Sequence, residues 1–376
     1  MRDVADSRIV SDISDELGKV DCCEKDVEEL IDDSKIAEIS RRIIRLLLKD
    51  PFKTLQLADM LRRESCGEIV TFVVNRNVNF TDLCINRCRF CSFRNSRKFV
   101  LDEDEIRRKV REAVEFGCTE VCLQGGLMPD AGVDYYVSLL KAVRKESRDL
   151  HIHAFSPMEV FHAARNSGCD VEDVLREFKK AGLNSMPGTA AEIFSSHVRR
   201  EICPEKITGR EWFEVVKLAH GLGIPTTATM MYGHVESWED RIAHMLLLRK
   251  LQLETGGFTE FIPLTFLWRN NELGKRAKGC SGFEDLLVIA VSRIVLGDVI
   301  RNVQASWVKL GIKLAQAALY TGANDLGGTL MEENISKAAG SVSGECLSVD
   351  EFVELIKRCD RIPAQRDTLY RVLRVF

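Results

Sequence analysis

Residues 69–91 read IVTFVVNRNVNFTDLCINRCRFC, an apolar run followed directly by a cysteine-rich loop. β-Branched and aromatic residues recur through 69–80, which predicts a strand. The cysteines that follow, Cys84, Cys88 and Cys91, have the spacing C-x3-C-x2-C. A loop this compact can direct three thiolates at one metal centre, whereas a closed structural zinc site uses four ligands, commonly in two separated pairs. The triplet therefore predicts a metal centre with one position open to a non-protein ligand.

Composition and charge exclude several classes of protein. The 376 residues are 45% apolar and 29% charged, which is typical of a globular chain. A net charge of −4 gives no basic footprint, so we expect no nucleic-acid partner. The longest apolar stretch, 286–300, is interrupted by Arg293 and Asp298 and predicts a buried helix instead of a membrane span. The first twenty or so residues lack the layout of a signal peptide, so we expect a cytoplasmic protein with no membrane partner.

The cysteine content supports a metal or redox role for the triplet. Thirteen cysteines are many for a chain of this composition. Because no secretory signal is recognisable, a disulfide framework is not expected, and metal or redox chemistry is favoured for any cluster among them.

Predicted strands and helices alternate after the cysteine loop. Strands are expected at 120–123, 151–155, 183–186, 226–231 and 259–263, with weaker candidates at 303–307 and 319–323. Strands separated by helices favour a parallel sheet with right-handed crossovers. We therefore predict an α/β fold, a (β/α) barrel that is complete or partial, with an open doubly wound sheet as the alternative.

The same pattern predicts four segments along the chain. Residues 1–33 are acidic and weakly periodic, which indicates a loosely packed, flexible arm. Residues 34–68 read as a helical extension in front of the barrel, and residues 69–330 as the barrel itself. Residues 331–376 are expected to form a C-terminal helical segment that packs on the barrel.

Polar and glycine-rich residues recur where the predicted strands end. In parallel barrels the loops at the carboxyl ends of the strands carry the chemistry. The residues at these positions include Gln124-Gly125-Gly126, Ser156, Gly188-Thr189, Tyr232-Gly233-His234 and Asn324-Asp325. The sequence therefore predicts a single site at one mouth of the barrel.

The cysteine loop, with Phe90 before its last cysteine and a strand in front of it, resembles the signature of the radical S-adenosylmethionine (SAM) superfamily. The resemblance implies a [4Fe-4S] cluster held by Cys84, Cys88 and Cys91. Its unique iron would bind S-adenosyl-L-methionine, and an external electron donor would drive reductive cleavage to a 5′-deoxyadenosyl radical.

The superfamily resemblance also implies ligands for S-adenosyl-L-methionine. Gln124, Gly125 and Gly126 match the glycine motif that contacts the methionine amino group, although Leu127 stands where a glutamate is usual. Glu192 and Arg199 lie where the superfamily often places ribose and carboxylate ligands.

Longer runs resemble one subgroup of the superfamily. These runs are NRNVNFT (75–81), HIHAFSP (151–157), PGTAAEI (187–193), TMMYGHVE (229–236) and GANDLGGT (322–329). The whole pattern is most similar to the FO synthase subunit 2 family. This implies a transferase that joins the 4-hydroxybenzyl fragment of L-tyrosine to 5-amino-6-(D-ribitylamino)uracil during biosynthesis of the deazaflavin chromophore FO. 2-Iminoacetate, 5′-deoxyadenosine and methionine would be released, and the other FO synthase subunit would be the functional partner.

On this reading the catalytic candidates are the strand-end residues His153, Tyr232 and His234. The candidates for substrate contact are Ser156, Glu236, Trp307, Asn324 and Asp325.

Two other interpretations are open at this point. An enzyme of the aminofutalosine synthase type, from menaquinone biosynthesis, would share the cluster and much of the barrel mouth. A protein of another class, a barrel with a structural metal clip, would use Cys66 as the fourth ligand to zinc.

Overall fold

The computed structural model describes the backbone of residues 2–376 and the side chains of residues 8–376. Its strands are β1 (Ile69–Val73), β2 (Asn75–Asn79), β3 (Glu120–Gln124), β4 (His151–Ala154), β5 (Thr226–Tyr232), β6 (Phe258–Thr265), β7 (Asp325–Gly328), β8 (Ile362–Arg366) and β9 (Val372–Val375). Its α-helices are α1 (Arg2–Asp21), α2 (Ser34–Leu47), α3 (Pro51–Cys66), α4 (Glu103–Phe116), α5 (Val133–Glu146), α6 (Pro157–Ser167), α7 (Val171–Ala181), α8 (Ser196–Ile202), α9 (Gly209–Gly221), α10 (Trp238–Thr255), α11 (Gly282–Leu296), α12 (Trp307–Leu310), α13 (Ile312–Ala318), α14 (Asn334–Ala338) and α15 (Val349–Lys357).

The parallel strands close into a complete barrel. β2 pairs with β3, β3 with β4, β5 with β6, and β7 with β1, all in parallel. Isolated bridges at residues 185–186 connect β4 to β5, and bridges at residues 303–304 connect β6 to β7. Because β1 and β2 continue one another, the ring returns to its starting strand. The predicted barrel is confirmed in its complete form, and the open doubly wound sheet is wrong.

Four predicted strands differ from the observed ones. The run 69–80 is divided at Val74 into β1 and β2, which have different neighbours. Residues 183–186 and 303–307 contribute isolated bridges only, and Trp307 already begins α12. The candidate at 319–323 is wrong, because its backbone forms turn hydrogen bonds to the end of α13 and the strand follows at β7.

The C-terminal segment is not purely helical, which corrects the prediction for residues 331–376. α14 and α15 are followed by β8, which pairs in parallel with β1, and by β9, which pairs in antiparallel with β8. The sequence of β8, IPAQR, carries a proline and an arginine, and such residues weaken a strand signal. This strand nevertheless adds to the barrel sheet along β1, beside the edge where β2 pairs with β3.

The N-terminal segment packs on the barrel, contrary to the expectation of a loose arm. Within α1, Ile13, Leu17 and Val20 are buried, and they lie on one helix face because they are three or four residues apart. Asp21 accepts from Arg249 of α10, with Oδ2 2.7 Å from Nη2. Met1 and the side chains of residues 2–7 lie outside the described residues, so the prediction is corrected only from residue 8 onward.

The helices surround the barrel and pack against it through apolar faces. α10 contacts α2 on its outer side, and α11 contacts α3. Within the described residues, no helix combines the length and apolar character that a membrane crossing requires.

A buried ion pair attaches the C-terminal strand to the barrel. Arg366 of β8 donates to both carboxylate oxygens of Asp325, at 2.6 Å and 3.1 Å. Thr71 of β1 donates to the same carboxylate at 2.6 Å. The ring of Tyr370 lies 3.9 Å from the Arg366 guanidinium, and its hydroxyl donates to Glu260 of β6 at 2.7 Å. One arginine therefore connects β8 with β7 and, through Tyr370 and Glu260, with β6.

Replacing Arg366 with methionine is expected to reduce the free energy of unfolding by about 3–5 kcal/mol, because Asp325 would be left buried without its counter-ion. The measurement is equilibrium denaturation under anaerobic conditions. The matched control is Arg371→Met, which breaks an exposed pair with Asp367 and should cost less than about 1 kcal/mol. Equal losses in the two variants would contradict this account of the ion pair.

Candidate active site

A cavity of about 430 Å³ runs from the mouth of the barrel into its interior. The cysteine loop and residues that follow the other strands line the mouth. Deeper in, the wall is formed by polar side chains on the strands, including Asn75, Glu120, His153, Glu260 and Gln304. Arg366 and Thr368, from the C-terminal segment, also face this space. The cavity therefore has a charged, hydrogen-bonding interior below a sulfur-bearing rim.

The cysteine loop is fixed by Asp82, which is fully buried. Its carboxylate accepts the backbone N–H groups of Lys98 at 3.0 Å and Phe99 at 2.9 Å, and also that of Arg97. Burial alone would raise the pKa of Asp82, but these donors hold the pKa below its usual value. Ile85 N–H donates to Leu127 O at 2.9 Å, which attaches the loop to the segment after β3.

All three predicted ligand cysteines line the cavity. Burial raises the pKa of the Cys84 thiol, and it raises that of Cys88 to about 12 against the opposing charge of Lys206. These thiols would therefore bind a metal centre with release of their protons, since a metal stabilises the thiolate. No three His, Cys, Asp or Glu side chains among the described residues are arranged to hold a single metal ion. A four-iron cluster distributes its thiolate ligands over separate irons, so the donor set fits such a cluster.

The glycines of the predicted cofactor motif are required by packing beside the cysteine loop. A Cβ atom on Gly126 would lie 2.1 Å from Leu83 O, and one on Gly125 would lie 2.5 Å from the ring of Phe80. The Gly126 N–H donates to Thr81 O at 2.9 Å. Gln124, Gly125 and Gly126 all line the cavity. These glycines therefore allow the segment after β3 to approach the loop, whatever ligand they also contact.

Glu159 is a buried cavity residue that the sequence reasoning missed. It lies in α6, where Ser156 N–H and Oγ each donate to Oε2 at 2.7 Å. Gly125 N–H donates to Oε1 at 3.3 Å. Burial outweighs these donors and raises the pKa of Glu159 to about 7. The capping-box pattern Ser156–Glu159 was readable in the sequence, but it indicates a helix start and carries no information about a cavity.

Glu192 lies in the cavity as predicted, paired with a lysine that the sequence reasoning did not single out. Its Oε1 is 2.5 Å from Lys206 Nζ, and this ammonium lies 5.3 Å from the centroid of the Phe90 ring. Glu192 has φ +47°, a left-handed conformation that is costly for a residue with a Cβ atom. Burial would lower the pKa of Lys206, but Glu192 and Cys88 raise it above its usual value. A cation is therefore held beside the central cysteine.

Arg199 is not brought to the cavity. It is buried, and its guanidinium donates to the backbone carbonyls of Ala190, Ile193, Ala191 and Ile207. Because the Arg199 guanidinium donates to these four carbonyls, it stabilises the turn after residues 185–186. It is not available to a cofactor carboxylate.

Tyr232, His234 and Glu236 also lie outside the cavity lining. Met231 lines the cavity, and the next residue of β5 points to the opposite face of the strand. Tyr232 therefore faces α11, where its hydroxyl donates to Asp285 at 2.8 Å. Glu236 accepts the N–H groups of Gly233 and His234 and the Nε–H of Arg241, which makes it a loop-ordering residue.

Asn324 and Asp325 stabilise the barrel and do not line the cavity. The side-chain Oδ1 of Asn324 accepts from Arg293 at 2.6 Å and from Val303 N–H at 2.9 Å. Asp325 is engaged by Arg366, as described above.

The remaining predicted residues, His153, Ser156 and Trp307, do line the cavity. His153 Nδ1 is 2.7 Å from Ser185 Oγ, and burial lowers the pKa of the imidazole to about 4, so that it is neutral at pH 7. Trp307 donates its indole N–H to Gly328 O at 3.0 Å. His153 and Trp307 therefore present fixed rings to a ligand.

Comparison with protein-family models and known proteins identifies the family. A radical SAM superfamily model matches residues 78–248, and a CofH/MqnC C-terminal region model matches residues 255–375. The 5-amino-6-(D-ribitylamino)uracil–L-tyrosine 4-hydroxyphenyl transferase of Archaeoglobus fulgidus is 64% identical over 327 residues, which cover 87% of this chain and 95% of that protein. The protein of the same name from Methanocaldococcus jannaschii is 50% identical over 349 residues, covering 89% of this chain and 97% of that protein.

The chain belongs to this family of radical SAM transferases. Membership confirms the resemblance stated from the sequence and makes the chain an enzyme of the radical SAM class. It also removes support from the structural metal clip. Consistently, Cys66 ends α3 in front of β1, whereas the cysteine triplet follows β2 at the other end of the same strand line.

Solved structures support the barrel fold. The hydrogenase maturase HydG from Carboxydothermus hydrogenoformans superimposes with a TM-score of 0.69 at 15% identity, covering 98% of this chain and 81% of that one. Methylornithine synthase (PylB) gives 0.68 at 16% identity, covering 96% and 97%.

The raised pKa of Glu159 predicts a pH-dependent stability difference. Between the pKa of the unfolded chain, near 4.5, and the folded value of about 7, the folded protein binds a proton that the unfolded chain has lost. Stability is therefore lost as the pH rises through this window. Glu159→Gln removes the effect, so its stability relative to the parent should rise by on the order of 2–3 kcal/mol from pH 5 to pH 8.

Anaerobic denaturation of the apoprotein at several pH values measures this difference. Glu105→Gln changes the corresponding capping-box carboxylate of α4, which is exposed, and serves as the control. A relative stability of Glu159→Gln that does not change with pH would contradict the buried, protonatable carboxyl group.

Proposed function

We propose that this enzyme transfers the 4-hydroxybenzyl fragment of L-tyrosine to 5-amino-6-(D-ribitylamino)uracil, in the biosynthesis of the deazaflavin chromophore FO. The observation that carries the proposal is the 64% identity to the Archaeoglobus fulgidus transferase over 95% of that protein's length. The match takes in 87% of this chain, and the CofH/MqnC C-terminal region model matches residues 255–375, which include the cavity residues of the C-terminal segment.

Membership of the radical SAM family implies the cofactor set, and the donors of the rim are compatible with it. Cys84, Cys88 and Cys91 would hold a [4Fe-4S] cluster, and Glu192 with the Gln124–Gly126 segment would contact S-adenosyl-L-methionine. When bound, these groups supply a 5′-deoxyadenosyl radical for hydrogen abstraction from the substrate. Lys206, fixed beside Cys88 by Glu192, would offset part of the negative charge that three thiolates bring to this buried position.

The interior of the barrel suits a pyrimidine that carries a polyol. The side-chain amide of Gln304 lines the cavity and has no hydrogen-bond partner among the described residues. An amide offers both a donor and an acceptor, which matches the alternating edge of a diaminouracil. Neutral His153 adds a further polar group, and Thr227 and Thr229 line the same space. Trp307 and Phe90 contribute apolar surface that would exclude water from the reacting groups.

The proposal extends to partners and location. The product would pass to the other FO synthase subunit for ring closure, and an external donor would supply the electron. We place the enzyme in the cytoplasm, where its substrates and a low-potential electron donor would be available.

The decisive experiment is an anaerobic assay of reconstituted protein with S-adenosyl-L-methionine, a reductant, L-tyrosine and 5-amino-6-(D-ribitylamino)uracil. We expect a coupled hydroxybenzyl–uracil product together with 2-iminoacetate and 5′-deoxyadenosine, detected by mass spectrometry. An enol-ether acceptor of the aminofutalosine synthase type is offered in parallel. Turnover of that acceptor without any uracil adduct would replace the proposal with its alternative.

Replacing Cys88 with alanine should remove the cluster, because one of the three irons that cysteines bind would lose its protein ligand. Iron and sulfide analysis after reconstitution should fall from about four irons per chain to near zero. The control is Cys203→Ala, a buried neighbour whose charge would act on Cys88 but which does not line the cavity. A full iron content in Cys88→Ala would show that the ligand set is wrong.

A further inference from the structure

A cation and an anion face the cavity on the wall formed by residues 303–304, β7 and β2. Lys309 lies in α12, directly after residues 303–304, and it lines the cavity. No hydrogen bond or ion pair joins its ammonium to any residue that the structure describes. Burial lowers the pKa of Lys309, and Glu333 is the first of the acidic groups that act in the opposite direction. The ammonium is thus partly desolvated and free to bind a ligand anion.

Glu333 is held in place by protein donors and still faces the cavity. Its Oε1 accepts from Ser336 N–H at 2.8 Å, and its Oε2 accepts from the side-chain amide of Asn77 at 2.8 Å. Each carboxylate oxygen can accept a further hydrogen bond. Glu333 and Asn77 both line the cavity. Lys309 and Glu333 therefore bring opposite charges to the same cavity, and no ion pair joins them among the described residues.

The other cations that line the cavity are already paired, with one exception. Lys206 pairs with Glu192, and Arg366 pairs with Asp325. The exception is Arg94 of the cysteine loop, whose Nε is buried without a partner. Arg94 is therefore the alternative cation for a ligand carboxylate.

An α-amino acid presents a carboxylate and an ammonium group separated by one carbon atom, and it is bound best where a cation and an anion are fixed side by side. We propose that Lys309 binds the carboxylate, and Glu333 the ammonium group, of the amino-acid substrate. The assignment rests on the proposed function, in which this substrate is L-tyrosine. With this assignment, Glu192, which follows residues 185–186, remains available to S-adenosyl-L-methionine.

The test measures tyrosine binding without turnover. Reconstituted holoenzyme is incubated with S-adenosyl-L-methionine but without a reductant. Binding of labelled L-tyrosine is then measured by equilibrium dialysis. Lys309→Met and Glu333→Gln should each raise the Kd for tyrosine on the order of 30-fold, because each removes one charged partner. Lys313→Met, which removes an exposed lysine one helix further on, should leave the Kd within about twofold of the parent.

Competition by two analogues separates binding from a merely structural role. Tyramine lacks the carboxylate, and 3-(4-hydroxyphenyl)propanoate lacks the amine. The parent should prefer tyrosine to both. Lys309→Met should lose the preference over tyramine only, and Glu333→Gln the preference over the propanoate only. General damage to the fold would not give this crossed pattern, and iron content and binding of S-adenosyl-L-methionine should be unchanged in both variants.

Three outcomes would overturn the assignment. In the first, the parent binds tyrosine and both variants bind it equally well. In the second, the loss of affinity follows Arg94→Gln instead of Lys309→Met. In the third, the parent binds S-adenosyl-L-methionine but not tyrosine, which refutes the proposed function itself and is thereby distinguished from the other two. Should Lys309→Met fail to fold, the analogue preference of Glu333→Gln decides the question.

Discussion

The architecture depends on one constraint, which is that the first strand of a parallel barrel must find partners along both edges. The line formed by β1 and β2 meets this requirement with β7 along one edge and, along the other, β8 followed by β3. Eleven residues, from Ile69 to Asn79, thus hold three other strands in register. The cysteine loop leaves directly from the end of this line, so the position of the three thiols is set by the closure of the barrel. The buried pair Arg366–Asp325 secures the same closure from the C-terminal side.

A second principle organises the cavity, since most of its charges are oriented by protein partners before any ligand arrives. Asp82, Glu159 and Glu333 each accept backbone N–H groups, and Glu192 is held by Lys206. Carboxylates fixed in this way need little reorganisation when a substrate binds, and preorganisation of this kind is a main source of catalytic power. Lys309 differs, because its ammonium has been desolvated without receiving a partner among the described residues.

The sequence predicted the barrel and the rim well, because strand periodicity and strand-end chemistry are local signals. It could not tell which strand-end residues face inward. Tyr232 was placed in the site by position, yet it follows Met231 in a strand whose side chains alternate, and it points to α11 instead. Lys206, Glu159 and Glu333 were missed for another reason, since each reaches the cavity from a turn or helix start whose local sequence gives no information about a cavity. β8 was missed because it pairs with β1, which lies far earlier in the chain, and a pattern read along the sequence does not show such a distant pairing.

That separation has a consequence for how the enzyme is made. Every strand of the barrel precedes β8 in the chain, so during synthesis the interior lacks Arg366 and Thr368 until the last part of the described sequence has left the ribosome. Contacts between residues so distant in sequence form slowly, since a long loop must close first. The part of the cavity wall that carries Arg366 and Thr368 is therefore expected to form after the strands that carry the cysteine loop.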